Sequence, residues 1–123
     1  MKRIVGLVLF VALVFVASAS GRAFKSTLTV APATPVVGQT ATLQGCGYIA
    51  NDDVQLYIEG GLRKDGTAEV FILAYPETNA NGCFSYSFTV LPVATNIYEV
   101  WLFADNNEHT KYLWKNYIKF TIV

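Results

Sequence analysis

Cys83-Phe84-Ser85-Tyr86-Ser87-Phe88-Thr89-Val90 alternates without a fault. Phe84, Tyr86, Phe88 and Val90 fall on one side of an extended chain, and Cys83, Ser85, Ser87 and Thr89 on the other. The turn pair Asn81-Gly82 precedes it. Together they predict a strand with one buried and one open face. The same period of two recurs from Leu28 to the C-terminus, with no helical period. Leu28-Thr29-Val30 begins a first strand, broken by Pro32 and Pro35 as an edge strand tolerates. Thr40 to Cys46 is a second. After the Asn51-Asp52-Asp53 turn, Val54, Leu56 and Ile58 alternate with Gln55, Tyr57 and Glu59 in a third. Gly60-Gly61 to Asp65-Gly66 reads as a loop. Ala68 to Tyr75 is a fourth strand, and the opening stretch is the fifth. Ile97 to Ala104 follows as the sixth, and Lys111 to Val123 closes the chain. On this last strand Tyr112, Trp114, Ile118, Phe120 and Ile122 share a face. About seven short strands in this length predict an all-β sandwich of two sheets.

The N-terminus reads as an export signal over residues 1–19. Lys2 and Arg3 are basic, Ile4 to Ala17 is almost wholly apolar, and Ala17-Ser18-Ala19 offers small residues for cleavage. An uncleaved membrane anchor is the alternative, but the apolar run is shorter than the ~20 residues a span needs. No stable membrane span is therefore expected once the signal is removed. No Cys follows the run, which argues against a lipid-anchored start. Residues 20–27 form a lead-in and 28–123 one domain, with room for a modest core. Positive and negative charges balance, and loss of Lys2 and Arg3 leaves the rest slightly acidic. With no basic run, nucleic acid is not an expected partner. An even pair of cysteines in an exported chain reads as a disulfide, with two buried free thiols as the alternative.

Three stretches carry a resemblance. Val30 to Tyr48, with its Pro-Val-Val-Gly-Gln-Thr-Ala-Thr-Leu centre, resembles the opening of bacterial immunoglobulin-like domains of secreted and cell-surface proteins. Ala80 to Val90 is similar to their fifth strand, and Ile97 to Ala104 to their sixth. The resemblance implies an immunoglobulin-like β-sandwich; a transthyretin-like sandwich is the competing fold. Two features depart from the pattern. Cysteines stand where Ser, Thr or Asn is usual, and the last strand is longer and more aromatic. In the implied fold the second and fifth strands are antiparallel neighbours. Setting Cys46 opposite Cys83 then places Leu43 against Tyr86 and Ala41 against Phe88 on the core side. Gln44–Ser85 and Thr42–Ser87 pair outside. The result is one intra-sheet disulfide.

Catalytic groupings are scarce. His109, the one histidine, falls in a polar turn, and no nucleophile motif is present. No metal or cofactor is expected, because the acids of Asp52-Asp53 and Asp105 lack the spacing of a calcium loop. The aromatic residues say more. In the implied fold the third, sixth and seventh strands share a sheet. Its outer face would carry Tyr57, Trp101, Phe103, Leu113 and Tyr117, rimmed by Glu59, Glu99 and three lysines. An apolar centre with a charged rim suits a partner-binding face. Alternatively, the Ala68–Tyr75 segment folds over it and makes a second small core.

The leading expectation is a non-catalytic extracellular module that binds a protein or glycan at the cell surface. A second is a surface-filament subunit that self-associates by strand exchange. A third is a small secreted inhibitor or enzyme. Export is testable directly. The intact mass of secreted protein should correspond to cleavage after Ala19, and a mass that retains Met1 would refute it.

Overall fold

The third and sixth strands supply the largest share of the core, and both are buried at every second residue. The computed structural model describes residues 25–106, 108 and 110–123. The expected signal over 1–19, most of the lead-in and His109 lie outside the described residues. Among those described there are seven strands and no helix: β1 (Thr29–Ala31), β2 (Thr40–Gly45), β3 (Val54–Leu62), β4 (Ala68–Ala74), β5 (Phe84–Thr89), β6 (Ile97–Asp105) and β7 (Tyr112–Thr121). They form a three-stranded sheet, β1-β2-β5, and a four-stranded sheet, β4-β3-β6-β7. Every pairing is antiparallel. The inner faces meet in one core. Ala41, Leu43, Phe84, Phe88 and Val90 lie on one side, and Val54, Leu56, Ile58, Tyr98, Val100, Leu102, Phe120 and Ile122 on the other. Each large side chain fully buried in this way contributes roughly 1.5–3 kcal/mol. No helix among the described residues is long and apolar enough to cross a membrane.

Cys46 and Cys83 are joined by a disulfide, and no free cysteine remains. Every expected pair of the β2–β5 ladder is present: Ala41–Phe88, Thr42–Ser87, Leu43–Tyr86 and Gln44–Ser85. On the open side the Thr42 and Ser87 hydroxyls are 2.9 Å apart. Asn81-Gly82 forms the turn before β5. Gly82 has φ +75°, and a Cβ there would collide with the Tyr48 carbonyl oxygen, so this turn needs glycine.

Two expectations are corrected. Gly60-Gly61 is not loop: β3 runs through both to Leu62, and the loop starts at Arg63. Gly60 pairs with Tyr98 across the sheet. A Cβ on Gly60 would lie 3.1–3.2 Å from the Tyr98 ring, which rests over the bare backbone. The ring fills the space that glycine leaves. Its hydroxyl donates to Leu91 O at 2.7 Å and accepts from Leu91 N at 2.9 Å, closing the β5–β6 connection.

The second correction concerns β7. Its pairing with β6 shifts between Leu102 and Phe103, so Leu102 faces Asn116 and Phe103 faces Trp114. Lys115 is the extra residue of a β-bulge. A bulge reverses the facing of everything on one side of it. Ile118, Phe120 and Ile122 keep their expected side, but Tyr112 and Trp114 do not. Trp114 is 56% exposed. Leu113 moves the other way, opposite Ala104, whose side is the core side. Asn116, inward beside the bulge, donates to the Tyr48 hydroxyl and to Ser26 Oγ, both at 3.3 Å.

The bridge spans 37 residues in sequence. Chain entropy gives such a closure about 3–4 kcal/mol. Cys83→Ser should therefore lower unfolding free energy by about 2–4 kcal/mol in urea titration. A loss under half a kcal/mol, or full thiol labelling of the folded wild type, would contradict it.

Candidate functional site

The outer face of the four-stranded sheet is built by parity. On β3 and β6 the even residues are core, so the odd ones point away from it. The ladder then aligns them in rows. Leu73, Tyr57, Trp101 and Tyr117 form one row across all four strands. Phe71, Glu59, Glu99 and Lys119 form the next. On the far side of the first row lie Gln55, Phe103 and Trp114.

The rings touch one another. Trp101 and Tyr117 have centroids 4.4 Å apart at 51°, and Trp101 and Trp114 are 6.4 Å apart at 55°. Tyr57 and Phe71 meet edge to face at 4.4 Å and 69°. These are favourable ring geometries, and they stiffen the patch without covering it. A shallow hollow at its centre is lined by Tyr57, Glu59, Trp101 and Phe103.

Electrostatics divide the face. Glu59 and Glu99 sit directly opposite each other, an arrangement that costs stability for like charges. Lys119 is the neighbour of Glu99 across the next ladder. The Tyr117 phenol is pushed above its ordinary value, first by desolvation and then by Glu99, with which it hydrogen-bonds, and by Glu59. Tyr112 is raised in the same direction, by desolvation first and then by Asp53, Asp105 and Asp52.

Of the expected site residues, Tyr57, Trp101, Phe103 and Tyr117 come together on this face. Leu113 does not, because the bulge at Lys115 turns it to the core side. Trp114 stands beside Phe103 in the place Leu113 was expected to fill. The Ala68–Tyr75 segment does not fold over the face either. As β4 it lies in the plane of the sheet beside β3 and widens the face with Phe71, Leu73 and, just beyond the strand, Tyr75. The alternation of these three with Val70, Ile72 and Ala74 was a visible signal of a strand apolar on both sides. Both thiols are tied up in the disulfide, and the described residues hold no group of three or more His, Cys, Asp or Glu that could take a metal.

No protein-family model matches this chain, and no curated protein matches it. Among solved structures it is similar to the Pseudomonas fluorescens alkylpurine DNA glycosylase AlkC bound to DNA containing an abasic site analog. The TM-score is 0.45 at 11% identity, over 80% of this chain and 30% of that one. A likeness of this size carries no argument about function.

Trp101 is half-buried by its neighbouring rings. Trp101→Ala should cost about 1–2 kcal/mol of stability, between the values for an open side chain and a core one. The more exposed Trp114→Ala should cost less than about 0.5 kcal/mol. Urea denaturation of the two variants reads both. A Trp101→Ala loss above about 3 kcal/mol would mean the face is core.

Proposed function

We propose that this chain is a non-catalytic extracellular module with an immunoglobulin-like sandwich, and that it docks a protein partner at the cell surface. The outer aromatic face carries the reading: Tyr57, Trp101, Phe103, Trp114 and Tyr117 on a rigid sheet, left open by β4. Aromatic anchors with charged groups alongside are the usual composition of a protein interface. The tilts of 51–69° between touching rings favour protein over glycan, since a flat strip for successive sugar rings needs coplanar ones.

The fold label draws support from Tyr98. It lies near the start of β6, and its hydroxyl bonds back to Leu91 at the preceding corner, as the tyrosine corner of immunoglobulin-like sandwiches does. An extracellular setting draws support from the disulfide, which persists where the surroundings are oxidising.

Binding of labelled protein to the surface of the producing cells tests the reading. Wild type should bind saturably, protease treatment of the cells should remove the sites, and Trp101→Ala should weaken binding at least about thirtyfold. Equal binding by the variant would remove this face as the site. Loss of sites to glycosidase but not protease would make the partner a glycan.

A further inference from the structure

The outer strands of the two sheets are not equally protected. An open strand edge invites pairing with another chain unless it is short, charged, bulged or interrupted by proline. β1 has three residues and Pro32 follows it. β7 carries Lys115, Lys119 and the bulge. β5 alternates its apolar residues with Ser85, Ser87 and Thr89, so a strand added there would gain no second apolar row. β4 has none of these devices along most of its length.

The one charge on β4, Glu69, does not guard the edge. Its Oε1 accepts from Ala94 N at 2.8 Å and lies over Gly61, so the carboxylate is turned back across β3 into its own domain. Arg63 closes the start of the strand, donating to Ala68 O at 2.8 Å and Glu69 O at 3.5 Å. From Val70 to Tyr75 the edge then holds no charge, proline or glycine. Its outward side chains are open, with Phe71 50%, Leu73 42% and Tyr75 53% exposed. On the inward side Val70, Ile72 and Ala74 are only partly buried, since the four-stranded sheet is one strand wider than the sheet opposite.

We propose that β4 is a dimer edge, at which a second copy of the chain pairs β4 with β4 antiparallel about Ile72. An occupant of this edge must be apolar on both faces, and β4 is itself such a strand. A two-fold pairing centred on Ile72 sets Phe71 of each chain opposite Leu73 of the other, and Val70 opposite Ala74. Outward residues meet outward ones and inward meet inward, as the period of two requires. Glu69 falls at the margin opposite Tyr75, so no like charges meet. The product is one continuous eight-stranded sheet, closed by its two-fold axis.

Light scattering and sedimentation of the disulfide-intact protein, from micromolar to near millimolar, test this together with amide exchange. The average mass should rise from one chain to two and stop there, while amides of Val70–Ala74 become protected. Leu73→Lys and Phe71→Lys each place a charge in the seam and should raise the dissociation constant about a hundredfold or more. A monomer throughout the range, a mass that climbs past two chains, a dimer whose β4 amides stay unprotected, or one indifferent to both substitutions would each overturn the proposal. Should both variants misfold, the mass and exchange of the wild type still decide it.

Discussion

The Cys46–Cys83 bridge sits where four segments meet. It joins the residues that follow β2 and precede β5. Cys46 O accepts from Thr27 N at 2.9 Å, and Cys46 N donates to Thr27 Oγ1 at 3.1 Å, which brings in the approach to β1. Cys83 exchanges two bonds with Asn79, at 2.8 and 3.1 Å, which fixes the connection leading into β5. With this corner held, the β2–β5 ladder has one register. A slip of β2 by a single residue against β5 would turn Ala41 and Leu43 out and Thr42 and Gln44 in. The inner face of the smaller sheet, and what can pack on it, follow from that.

The larger sheet is aligned by Tyr98 and Gly60. A tyrosine ring laid over a strand needs a partner without a side chain, and Gly60 is that partner. The phenol satisfies both backbone groups of Leu91, which would otherwise lack a bond inside the structure. Once Tyr98 is inward, Val100 and Leu102 are inward by parity, and Trp101 and Phe103 are necessarily outward. The exposed aromatic surface is thus the other side of a core decision.

Most of this was readable in the residues, because burial and pairing leave a period of two. The β2–β5 register followed from one assumption about two cysteines, and the side of Tyr57, Trp101 and Phe103 from alternation alone. The bulge was not readable. Lys111 to Val123 alternates equally well on either side of Lys115, and only pairing with β6 reveals an extra residue. That single residue exchanged Leu113 for Trp114 on the outer face. The place of β4 was also hidden, since its apolar residues on both sides fit a strand in the sheet as well as a flap above it. The continuation of β3 through Gly60-Gly61 needed the tertiary position of Tyr98, which local turn chemistry cannot supply.

The ordering of rows on the outer face has a consequence for position. Along the strands the surface changes from Phe103 and Trp114, through the Tyr57–Trp101–Tyr117 row, to Glu59, Glu99 and Lys119. Beyond Phe103 and Trp114 the next outward pair is Asp105 and Tyr112, so carboxylates bound the rings at both ends. The apolar band is therefore only two rows deep along the strands. A surface slid one row further would press its apolar area onto Glu59 and Glu99 and strip their water, a cost of several kcal/mol per ion. Anything laid on these rings would be held to one position along the strands.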